Sequence, residues 1–105
     1  MALRVKEDNF EEEILKSKLP VVLEFYSDSC IPCKQMAVIL GDLEEEYEDR
    51  IKTAKVNVNF DQTLAELYQV MASPTILMFK DGNEINRITG ITKKSVLKEM
   101  IDVIL

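Results

Sequence analysis

Histidine is absent from this chain. Its absence removes the commonest general base at neutral pH and the commonest neutral metal ligand. Any chemistry falls to cysteine, carboxylate and lysine. Cysteine itself occurs twice. A structural zinc site takes four Cys or His ligands, so one copy of the chain cannot build one. Tryptophan is also missing, and glycine and proline occur three times each. That leaves no Gly- or Pro-rich linker and no low-complexity tract. No stretch is long and apolar enough to span a membrane. The opening MALRVKEDNF lacks the apolar segment of a signal peptide, so a cytoplasmic location is expected. Positive charge is scarce: 13 Lys and Arg stand against 19 Asp and Glu, a net charge of −6. An acidic surface repels phosphate backbones, so nucleic acid is not an expected partner, nor is a membrane.

What is present is one domain's worth of chain. Its 105 residues, 47% of them hydrophobic, suffice for a single core over residues 1–105. Asp8 or Asn9 can cap a helix through FEEEILKSK, with Phe10, Ile14 and Leu15 on its apolar side. LPVVLEFYS, from Leu19, is nearly all apolar and reads as a strand covered on both faces. The helix CKQMAVILGDLEEEY follows, with Met36, Ile39, Leu40, Leu43 and Tyr47 at helical spacing. Pro32 fits its first turn, where a missing N–H does no harm. IKTAKVNVNF reads as a strand. DQTLAELYQV reads as a short helix with Leu64, Leu67 and Tyr68 turned inward. PTILMFK and EINRITG are strands joined by DGN, a hairpin turn at Gly82. TKKSVLKEMIDVIL is an amphipathic helix with Thr92 as its expected cap. A short strand can lie in LRVK. The glutamate runs at Glu11–Glu13 and Glu44–Glu46 read as solvated helix faces, the first suited to a helix N-terminus. Alternation of strand and helix in the first half implies a parallel βαβ unit, and the hairpin adds an antiparallel edge.

The two cysteines lie in SDSCIPCKQ, two residues apart. A metal shared across a dimer is a strained reading. A structural disulfide around so small a loop contributes only about 2 kcal/mol by the chain-entropy argument, and a cytoplasmic address disfavours it. A redox couple fits the placement best. Cys30 falls where a buried strand ends and a helix begins. There, unpaired N–H groups and the helix dipole stabilise a thiolate, the nucleophile of disulfide exchange. Cys33 follows one helical turn later, and Lys34 adds positive charge.

Together with VVLEFYSDSCIPCK, the stretches AKVNVNFDQTLAELYQV, SPTILMFKDGNEI and the pair Thr89–Gly90 resemble the thioredoxin family nearly end to end. The resemblance implies a mixed five-stranded sheet flanked by four helices. It implies dithiol–disulfide exchange with protein clients and an electron supply from a reductase. No metal or organic cofactor is implied, only the redox-active Cys30–Cys33 pair, in a monomer. By matched position, Cys30 is the attacking thiol and Cys33 the buried resolving one. Pro74 is the family's cis-proline, which faces the cysteines and holds the client backbone. Glu24 is the buried carboxylate that takes a proton from Cys33, with Lys55 as its lysine partner; a purely structural Glu24–Lys55 pair is the competing reading. Gly90 lines the client groove, or is simply a turn glycine.

Several positions depart from the family pattern. The usual WCGPC is SCIPC here, so Ser29 replaces tryptophan and Ile31 replaces glycine. Ser73 stands before Pro74 where isoleucine is common. Glu24 replaces aspartate, Tyr26 replaces a second tryptophan, and Val38 stands where a helix-kinking proline is frequent, with Gly41 three residues on. Ser29, Ile31, Pro32 and Ser73 belong to the expected docking surface. Two other roles are compatible with the chain: an electron donor to one specialised partner system, or a non-catalytic module docking through Ile31, Ser73 and Ile91.

Overall fold

The computed structural model describes residues 2–105. Five strands form one sheet in the order β1-β3-β2-β4-β5. They are β1 Leu3–Arg4, β2 Val21–Tyr26, β3 Lys52–Asn57, β4 Thr75–Lys80 and β5 Asn83–Thr89. β1 and β2 run parallel to β3, while β4 is antiparallel to both β2 and β5. The helices are α1 Ile31–Tyr47, α2 Gln62–Leu67 and α3 Lys94–Ile104, preceded by a short helical segment, Glu11–Leu15. This is the mixed five-stranded sheet with four helices expected above.

β2 is apolar on both sides because both sides are covered. Val21, Leu23 and Phe25 pack with Phe10, Ile14, Leu64 and Ala65. Val22 points the other way, into Met36, Leu40 and Leu43 of α1 and Leu97 and Ile101 of α3. Each such side chain contributes roughly 1.5–3 kcal/mol on burial. By strand alternation Glu24 shares the side of Val22 and faces α1. The far end of α1 is fastened to α3: Lys94 Nζ meets Glu46 at 2.6 Å, and the Tyr47 hydroxyl donates to Asp102 at 2.6 Å.

Three local expectations differ from the structure. The first helix is shorter than FEEEILKSK and wound more widely, the Lys16 N–H reaching back five residues to Glu11 O. Neither Asp8 nor Asn9 caps it, because the Asn9 side chain accepts the Lys6 N–H at 2.7 Å instead. In α2, Leu67 is 68% exposed, and Ala65 takes the buried place beside Leu64. The helix ends at Leu67, so the helical spacing that would turn it inward does not continue. At α3 the flanking position falls on Lys93, with no side-chain cap; Thr92 lies one residue before it. The hairpin turn is as expected: Gly82 has φ +81, and a Cβ there would stand 2.9 Å from Leu15 O, so glycine meets both demands.

Candidate active site

The redox loop is built by three local devices. β2 ends at Tyr26, and the Cys30 N–H closes a turn onto Ser27 O at 3.3 Å. Cys30 then occupies the N-cap of α1 in an extended conformation, and its Sγ accepts the Cys33 N–H at 3.1 Å. A sulfur in that position receives one of the orphan donors that every helix start carries. Pro32 sits in the first turn, which holds no acidic residue to oppose a thiolate. Cys30 and Cys33 are joined as a disulfide. The two sulfurs differ in access: Cys33 is 4% exposed, whereas Cys30 is only half-buried.

Neighbouring loops are tied to this one. The Asn57 side chain donates to Asp28 Oδ1 at 2.8 Å, the Asp28 N–H donates to Asn59 Oδ1 at 3.0 Å, and the Asn59 N–H returns to Asn57 Oδ1 at 2.9 Å. From the other side, Ser73 Oγ lies 3.2 Å from Ser27 Oγ. That contact brings the segment before β4 against the redox loop. The Ser73–Pro74 peptide bond is cis, and Pro74 is buried. Its carbonyl accepts the Gly90 N–H at 2.8 Å. Gly90 has φ +86, yet a Cβ there would meet nothing within 4 Å. Its glycine is therefore explained by backbone conformation and not by crowding. Ser29, Ile31 and Pro32 are exposed, Ile31 to 69%.

Beneath Cys33 lies a cavity of about 290 Å³ whose walls include Glu24, Tyr26, Ser27, Ala37 and Lys55. Glu24 is 3% exposed, and its Oε2 has no hydrogen-bond partner among the described residues. Burial raises its pKa to about 7, with the nearby Lys55 charge opposing the rise. The nearby Lys55 charge acts on Glu24, but the two form no ion pair among the described residues. The two are register partners on β2 and β3, but the Lys55 ammonium lies over the Tyr26 ring, 5.7 Å from its centre. A larger cavity of about 770 Å³ lies between residues 17–19 and the stretch Glu44–Lys52, and contains no cysteine. Among the described residues no cluster of three or more Asp, Glu or Cys could hold a metal ion.

The sequence agrees with this geometry. A thioredoxin family model matches residues 1–103. This chain belongs to the thioredoxin family. The thioredoxin of Acidithiobacillus ferridurans is 36% identical over 95% of this chain and 93% of that protein. That of Rickettsia bellii is 32% identical over 97% of both chains. Thioredoxin 1 of Synechococcus elongatus is 30% identical over 97% of this chain and 95% of that protein. With a bonded Cys30–Cys33 pair at the head of α1, this thioredoxin-family protein is a protein-disulfide oxidoreductase. Its family implies protein disulfides as substrates and a reductase as donor. No helix among the described residues is long and apolar enough to cross a membrane. Sequence reasoning missed Ser27 and Ala37. Ser27 contacts the Ser73 loop, and Ala37 is the small residue one turn after Cys33; only the second carries a sequence signal, its i+4 spacing.

Proposed function

We propose that the protein is a reductant of protein disulfides, acting as a monomeric single domain in a reducing, cytoplasmic compartment. The observation that carries this reading is the asymmetry of the cysteine pair. The Cys30 sulfur is half-exposed at the helix N-cap, and the Cys33 sulfur is buried over the Glu24 cavity. In the dithiol form the Cys30 thiolate attacks a client disulfide, forms a mixed disulfide and releases one client thiolate. Cys33 gives its proton to Glu24 through the cavity. The Cys33 thiolate then displaces the second client sulfur from Cys30, and the internal disulfide forms. Two electrons have passed to the client, and a reductase restores the dithiol. Lys55 keeps the pKa of Glu24 from rising further, so that the carboxylate is populated near neutral pH.

The client chain lies along Ile31, Pro32, Ser73 and Pro74, with Ser29 and Gly90 at its margins. Ile31 adds an exposed branched side chain beside the attacking sulfur. It selects clients that offer apolar surface next to their disulfide.

Cys33→Ser tests the order of events. It is expected to accumulate covalent adducts through Cys30 with a disulfide-bonded protein such as insulin, visible on non-reducing gels and released by dithiothreitol. Cys30→Ser should form none. Adducts carried by Cys33 in Cys30→Ser, and none in Cys33→Ser, would reverse the two roles.

A further inference from the structure

Cys33, Ala37 and Gly41 lie four residues apart on α1 and therefore share one face. All three are small. Beneath this stripe, on the sheet, are Glu24 of β2 and Lys55 of β3. The stripe roofs two cavities. The first is the one of about 290 Å³ that Cys33 shares with Glu24. The second, of about 200 Å³, is lined by Ala2, Glu24, Ala37, Leu40, Gly41 and Lys55. Glu24, Ala37 and Lys55 are walls of both. The buried Glu24, with an unpartnered Oε2, thus stands between a cavity that holds the resolving sulfur and one that does not.

The lining of the second cavity includes none of Ile31, Pro32, Ser73 or Pro74. Ala37 and Gly41 are exposed at its rim. Gly41 is ten positions along α1 from Ile31, about 15 Å at 1.5 Å per residue. Packing against the described residues does not require glycine there, since a Cβ at Gly41 would meet none of them within 4 Å. A mid-helix glycine is unfavourable, so the open space is the feature in need of a reason. The volume exceeds several times the roughly 30 Å³ that a water molecule occupies in the liquid. Glu24 and Lys55 are the polar side chains among the cavity's walls.

We propose that the Gly41 cavity is the proton exit of Glu24, a water-accessible path that stays open while a client covers Cys30. The inference rests on Glu24 as acceptor of the Cys33 proton. After that transfer the Cys33 thiolate displaces the client sulfur, and Glu24 is left as a neutral acid. It returns its proton to water on the Gly41 side, and the departing client thiolate takes one from solvent. The charged groups around Glu24 are Lys55 from β3, Lys34 from α1 and Asp28 from the loop after β2. β4 presents Ile76, which is apolar, as the register partner. Lys55 lines both cavities and favours the departure of the proton.

Gly41→Leu and the more adaptable Gly41→Met fill the second cavity from its rim, and leave Cys33 and the first cavity untouched. Three quantities are measured: thermal stability, the Glu24 carboxyl titration by NMR in the dithiol form, and the single-turnover rate of client release from the Cys30 mixed disulfide between pH 5 and 9. Both variants are expected to fold at least as stably as the parent. The Glu24 midpoint should move up as water is displaced. Client release near pH 7 should slow by about threefold or more, a small part of what a proton acceptor contributes. Neither substitution should slow release further when combined with Glu24→Gln. Unchanged release in both folded variants overturns the exit, whatever the titration does. So does equal slowing in the Glu24→Gln background. The acceptor role itself fails separately, if Glu24→Gln alone leaves the rate and its pH profile unaltered.

Discussion

The two faces of β2 were given the same degree of burial and opposite contents. On one face Val21, Leu23 and Phe25 belong to a buried apolar cluster with Phe10, Ile14 and Leu64. On the other, Val22 is followed by Glu24, and the adjoining strand presents Thr53, Lys55 and Asn57, alternating with the buried Ala54 and Val56. Thr53 is satisfied by donating to Glu44, and Asn57 by Asp28. Glu24 is the member of this polar strip whose Oε2 is left unpartnered. A buried carboxyl without full hydrogen bonding destabilises the fold. Its position under Cys33 gives a functional reason for tolerating it. On the mechanism proposed above, one face of the central strand serves stability and the other gives up stability for a proton acceptor.

The comparison can be broken in three places. Phe25→Ala on the apolar face should cost about 3–5 kcal/mol, with the same loss at pH 5 and pH 8 in urea titrations. A loss under 1 kcal/mol would mean that this face is not the main source of stability. Glu24→Gln tests the other face, and its effect must depend on pH. The folded-state pKa of about 7 lies above the ordinary 4.5. Between these values the folded chain holds a proton that the unfolded chain has released, so the stability of the native protein falls as pH rises from 4.5 to 7. The full penalty, present above pH 7, is about 3 kcal/mol. Glu24→Gln should accordingly stabilise the protein at pH 8 by up to that amount and change little at pH 4, while client release slows by about tenfold or more. Equal effects at both pH values would show that Glu24 does not titrate with a raised pKa. Smallest of all, Leu67→Ser on the exposed end of α2 should alter stability by less than about 0.5 kcal/mol. A loss comparable to that of a core residue would restore the inward orientation that helical spacing implied.

The legible parts of the sequence were those with strong local signals. The apolar run VVLEFY read as a doubly covered strand, and DGN between two strand-like runs read as a hairpin turn. The cysteine pair could be placed at a strand-to-helix junction without reference to any fold. Less was readable at element ends. Asn9 had a capping side chain, but the competing Lys6 N–H took it. Leu67 had the right period, but the helix stopped beneath it. In both cases the local preference was sound, and a neighbour or a chain reversal overrode it. Gly90 reads as a groove residue from matched position alone; its φ of +86 and its bond to Pro74 O supply the physical reason for glycine.

By itself the sequence determined the order of elements, the identity of the reactive pair and the presence of one carboxylate inside an apolar strand. These follow from period, composition and spacing, which are properties of short stretches. Only the tertiary structure decided that Ser27 meets Ser73, that Lys55 turns to the Tyr26 ring, and that Glu24 lies between two cavities. Each of these depends on what α1 and the loops place above the sheet. Ser27 and Ser73, 46 positions apart, meet there through packing, and no local pattern specifies that meeting.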